Sequence, residues 1–251
     1  MTHTGITRRR TLLATAGATA AAGLGATGLL SSPAAAAPAL PPGLHDERLG
    51  EALRLAEARR RRIHTDRPSA NGWEMQKVTD EDGDIVTTSV PGTGLSVPLR
   101  SGDAGTLLVH VVRRFHYEID ALGRDEPGAL VGWVAPTSVR DGRRPESNQA
   151  SGTAVVVRPG SYPPGVRGSF TAAQERTLRD VLADAQGLVR WGGDGRRPYE
   201  GLFHLAVRPG DRRLERVAAT IRAWDGTPGA GAGTLPDVTA PARLRRAARY
   251  R

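Results

Sequence analysis

No cysteine occurs among the 251 residues. Disulfides and thiolate metal sites are therefore excluded. Lysine is nearly absent as well. Lys77 is the only one in a total of 35 basic residues, the bias of a GC-rich coding sequence. No internal repeat is present. Ser151-Gly152 lacks the frame of a nucleophile elbow, so serine chemistry is unsupported. Gly229 to Gly233 lies in a low-complexity spacer, not in the strand–loop–helix setting that a phosphate or dinucleotide site needs. The apolar stretch Leu12–Leu30 is diluted by Gly17, Gly23, Gly25 and Gly28, which weaken a membrane-spanning helix.

The first residues instead read as an export signal. Thr7-Arg8-Arg9-Arg10-Thr11-Leu12-Leu13 has the twin-arginine pattern, and Ala34-Ala35-Ala36 offers a small-residue cleavage site. Residues 1–36 are thus expected to leave, and the mature chain to work outside the cytoplasmic membrane, extracellular or on the cell wall. No stable membrane span is expected after cleavage. About 215 residues remain, enough for one domain. The net charge of +9 falls to +6 without the three signal arginines. An exported basic protein favours anionic cell-wall polymers or lipid head groups; export argues against nucleic acid.

Residues 37–70 read as a Pro/Ala linker followed by a helix from Leu44 to Ile63. The folded domain is expected over 71–225. Val78, Ile85–Val90, Leu95–Leu99, Leu130–Val134, Gly152–Val157 and Leu202–Val207 read as strands. Gly105–Leu122 is expected to be helical, with Leu107, Leu108, Val111, Val112, Phe115 and Ile119 on one apolar face. His110 and His116, six residues apart on that helix, turn to different faces and make a poor metal pair. Thr171 and Gln174 form a capping-box pattern before a helix that stops at Gly187, and Leu214–Trp224 is a last helix. Residues 226–251 read as a Gly/Pro/Ala spacer and a flexible basic tail.

Four blocks carry a resemblance. Ser147 to Val156 has the spacing of Ser-x-His-x-x-Gly-x-Ala-x-Asp, keeping Ser147, Gly152 and Ala154. Gly168-Ser169-Phe170-Thr171 with Gln174, Trp191-Gly192-Gly193-Asp194 and Phe203-His204-Leu205-Ala206-Val207 follow in order. Together they resemble the exported zinc D-alanyl-D-alanine carboxypeptidase and L-alanyl-D-glutamate peptidase superfamily, which cleaves peptidoglycan stem peptides. The resemblance implies an α+β fold, a single domain with a central antiparallel sheet flanked by helices. It implies zinc on a His, an Asp and a second His, with a carboxylate base three residues before the last His.

Carried over residue by residue, that site is degraded. His204 keeps the third ligand position. Gln149 stands at the first, where a carboxamide is a weak donor, and Val156 at the second, where no donor exists. Gly201 stands at the base position, and Glu200 is the nearest carboxylate. Arg140 and Arg143, in the loop before the first block, are candidates to hold a substrate carboxylate, together with Ser147. The expected function is binding of stem peptides or another wall component without zinc catalysis. Two alternatives stand beside it. One is an active metallopeptidase with His204, Glu200 and Gln149 as a rearranged ligand set; the other is an exported scaffold that binds a protein partner. Oligomeric state is not written in the sequence.

Overall fold

In the computed structural model, residues 42–123, 126 and 128–250 are described. The expected signal, its cleavage site and the linker up to residue 41 lie outside them. Five helices and eight strands follow in order: α1 Pro42–Ile63, β1 His64–Pro68, β2 Glu74–Gln76, β3 Ile85–Val90, β4 Leu95–Arg100, α2 Asp103–Glu118, β5 Leu130–Val131, β6 Ala154–Val157, α3 Ala172–Asp184, β7 Val189–Trp191, β8 Leu202–Leu205, α4 Arg212–Asp225 and α5 Pro241–Ala248. The class is α+β. No helix among the described residues is long and apolar enough to cross a membrane.

Every strand pairing is antiparallel. The largest sheet has the order β5-β6-β8-β7. Alternation sorts its side chains by face. Val155, Val157, Phe203, Leu205, Val189 and Trp191 join the main core with Leu107, Leu108, Val111 and Phe115 of α2 and Leu178, Val181 and Leu182 of α3. The other face carries Ala154, Val156 and Leu202, which form a second small cluster with Tyr199. Helices therefore cover one face, and the opposite face is left for a cleft.

Local chemistry explains several boundaries. The capping box of α3 is complete: the Thr171 hydroxyl accepts from Gln174 N, and the Gln174 side chain accepts from Thr171 N. β5 stops after Val131 because Gly132 turns against β4. A Cβ there would lie 2.2 Å from the Pro98 carbonyl oxygen. Trp133 continues that contact by donating its N–H to the same oxygen.

Three sequence expectations change. The paired structure begins before residue 71, because β1 already pairs with β2 and Ile63 is buried. Its sequence, His-Thr-Asp-Arg-Pro, has no apolar alternation to announce a strand. Val78 lies outside any strand. The basic segment after residue 226 contains α5, and it is docked. Arg243 pairs with Asp180, and Arg246 with Asp184. Both carboxylates also meet the buried Arg114 of α2, which reaches Glu118 as well. His110 Nε2 lies 3.2 Å from Asp184. Burial pushes the Asp184 carboxyl up, but the His110 hydrogen bond and the Arg114 and Arg246 charges outweigh it and hold it at about 2.

Candidate functional site

The first block of the resemblance, Ser147 to Val156, is a 3-10 turn over Pro145–Gln149 leading through Gly152 into β6. Gly152 is required there. Its φ is +69°, and a Cβ would lie 2.6 Å from Arg100 N. Residues 69–73 brace the same turn from outside. Ser69 Oγ bonds Ser151 Oγ, Ala70 N donates to Ser147 Oγ, and Asn71 N donates to Asn148 Oδ1. Ser147 Oγ also lies within 2.9 Å of the Gly142 and Arg144 carbonyls. The Ser147 hydroxyl is thus committed to holding the loop.

His204 sits on the open face of the sheet. Its register partners are Ala154 on β6 and Arg190 on β7. Asn148 Nδ2 lies 3.3 Å from His204 Nδ1. Since Asn148 Oδ1 accepts from Asn71 N, the amide is fixed with its nitrogen toward the ring. This favours the neutral tautomer with the proton on Nε2. Leu205 O, 3.2 Å from Nδ1, competes for the other tautomer. Burial holds the imidazole below its ordinary pKa, and the Arg190 charge adds to that effect, against the opposing Leu205 carbonyl.

In front of His204 lies a cavity of about 440 Å³, lined among others by Arg144, Arg190, Arg196, Arg197, Trp191 and Tyr199. A second, of about 360 Å³, is lined by Arg140, Ser147 and Gln149. Arg144, Glu146 and Arg197 line both, so the two form one cleft. Among the described residues, Arg190, Arg196 and Arg197 make no ion pair. Burial and the Glu146 charge raise the Tyr199 hydroxyl, which stays protonated at neutral pH.

The candidate residues separate as follows. His204, Gln149, Arg140 and Ser147 line the cleft. Arg143 lines neither part: its side chain is 94% exposed and folds back on Asp141. Val156 is buried in the apolar cluster with Ala154 and Leu202. Gln149 gives its amide to the Gly132 carbonyl at 3.0 Å.

Glu200 does not reach the cleft. Its carboxylate accepts from Gly168 N at 2.7 Å and from Ser169 N at 2.8 Å. Burial alone would raise this carboxyl; the two backbone amides outweigh it and hold it below the ordinary range. Glu200 therefore anchors the loop before α3. No carboxylate fits at the adjacent base position either, since a Cβ on Gly201 would stand 2.5 Å from the Val157 carbonyl oxygen.

The residues present do not suit a zinc ion of the kind the resemblance implies. One imidazole remains, the second ligand position is a packed valine, and the first is an amide already bonded to backbone. Among the described residues no group of three histidine or carboxylate side chains converges elsewhere. The rearranged set of His204, Glu200 and Gln149 is not assembled.

Trp191 and Asp194 of the third block shape the cleft wall. Trp191 donates its indole N–H to the Glu200 carbonyl at 2.6 Å. Asp194 receives a two-pronged Arg179 at 2.5 and 2.6 Å, and that guanidinium lies 5.0 Å from the Trp191 ring centre. Sequence reasoning missed Asn148, Arg190 and Arg197. Arg190 was findable only through register, because nothing in the spacing of Arg190 and His204 says that their strands pair.

Compared with family models, curated proteins and solved structures, the chain finds no match.

Proposed function

We propose that this is an exported, degenerate member of the zinc D-alanyl-D-alanine carboxypeptidase-like superfamily that binds the stem peptide of peptidoglycan and does not cleave it. One observation carries the reading. The sheet places His204 beside Val156 and Leu202 at the floor of a cleft whose walls supply arginines without ion-pair partners. Stem peptides present several carboxylates, and guanidinium groups bind carboxylates in a planar, two-pronged manner. His204, held neutral by burial, adds a hydrogen-bonding imidazole rather than a metal ligand. Tyr199 and Trp191 supply apolar walls. Gln149, Val156 and Gly201 all argue against turnover.

The test is calorimetric titration of the mature protein with a soluble stem tetrapeptide, with and without added zinc. Saturable binding, weakened about tenfold in Arg197→Ala, is expected. D-Alanine release that depends on zinc and is lost in His204→Ala would overturn the non-catalytic reading. Absence of any binding would overturn the ligand assignment.

A further inference from the structure

Among the arginines of the cleft stands a carboxylate, Glu146. It lines both parts of the cleft, the cavity before His204 and the cavity beside Gln149. Among the described residues it forms no ion pair, although Arg144 and Arg197 line the same two cavities. Arg144 turns instead to Asp141, 3.6 Å away. The turn that carries Glu146 is braced just after it. Ala70 N donates to Ser147 Oγ, which also bonds the Gly142 and Arg144 carbonyls, and the Gln149 amide is held by the Gly132 carbonyl. The carboxylate is therefore presented from a fixed backbone. Its charge acts on the Tyr199 hydroxyl and on the His204 imidazole, in both cases secondary to burial.

A lone carboxylate in a basic cleft works against a purely anionic ligand, because like charges repel more strongly where water is partly excluded. It suits a ligand that brings a cation to that point. Arginines stand to either side of it, Arg190 and Arg196 in one cavity and Arg140 in the other. The complementary ligand carries anionic groups toward both ends and a cation between them. Glu146 stands where the two cavities meet, so the cation belongs to an internal residue and not to a chain terminus. We propose that Glu146 is the subsite for a side-chain ammonium group, and that the cleft selects peptides carrying a diamino acid between carboxylate-bearing residues. This rests on the stem-peptide reading and adds to it the residue that is selected.

Two soluble stem tetrapeptides that differ only at the third residue, lysine in one and Nε-acetyl-lysine in the other, are titrated into the mature protein by calorimetry. Acetylation removes the charge and leaves a single N–H. The lysine peptide is expected to bind about tenfold more tightly. Net charge alone predicts the reverse, because a chain of about +6 favours the more anionic acetylated peptide. In Glu146→Gln the two affinities should come within about twofold of each other. Equal binding of the two peptides by the unaltered protein would overturn the proposal and leave the stem-peptide reading in place. A tenfold preference that persists in Glu146→Gln would do the same. Binding of neither peptide would overturn both. The comparison on the unaltered protein holds even if Glu146→Gln fails to fold.

Discussion

Val156 lies one alternation along β6 from Ala154, the register partner of His204, so the valine and the histidine share one face of the sheet. The resemblance puts two metal ligands at these places. The valine is buried beside Leu202 and Ala154, and the histidine is left facing a cavity.

Restoring the acid should be costly. Val156→Asp puts a carboxylate into an apolar cluster with no cation beside it, and a loss of about 2–4 kcal/mol is expected at neutral pH. Its folded pKa would be raised, so the penalty is full above that value and disappears as pH falls from it to the ordinary carboxylate range of about 4. Urea unfolding at several pH values measures both effects.

Glu200→Gln should cost about 1–3 kcal/mol, because an amide cannot accept from both Gly168 and Ser169 as a carboxylate does. The depressed carboxyl of Glu200 stabilises the fold above its unfolded pKa, and that contribution is lost as pH falls through the lower folded value. The variant should therefore unfold with a shallower dependence on acid. An unchanged acid profile would show that the loop anchor is not formed.

His204 is expected to titrate below the ordinary imidazole value by NMR, and Arg190→Ala should move it upward by removing a nearby positive charge. Because the folded pKa is the lower one, the unfolded chain binds the proton first. His204 then costs stability as pH falls below about 6.5 and nothing above it. A downward shift in Arg190→Ala would contradict the geometry.

Asp184 should shift stability in the same direction with pH, in a lower window. Its carboxyl sits at about 2, so roughly 2 kcal/mol of stability is present above about pH 4 and is lost as pH falls toward 2. Asp184→Asn removes one of three carboxylates around the buried Arg114, which keeps Glu118 and Asp180, and should cost about 2–3 kcal/mol by denaturant unfolding.

Periodic segments were legible. The apolar face of α2, the β3–β4 hairpin and the capping box of α3 are local signals, and each forms as read. α5 was read as a tail because Pro-Ala-Arg-Leu-Arg-Arg-Ala-Ala offers little apolar face. It is held by Asp180 and Asp184, some 60 residues earlier, and no local window contains that pairing. The cleft was legible in part. Gln149 and His204 were found by spacing, but whether Glu200, the nearest carboxylate, reaches the site was not legible; two amides upstream of α3 claim it. Arg190 enters only through strand register.

Arg243 and Arg246 have a consequence for how the chain matures. They lie C-terminal to every element they help to neutralise. Until residues 241–248 have been synthesised, Arg114 faces three carboxylates, Glu118, Asp180 and Asp184, and the seam between α2 and α3 carries excess negative charge. Closing that seam is therefore a late step, delayed until α5 is available. Nascent chains that lack this helix should be softer to proteases at α2 and α3 than the finished protein.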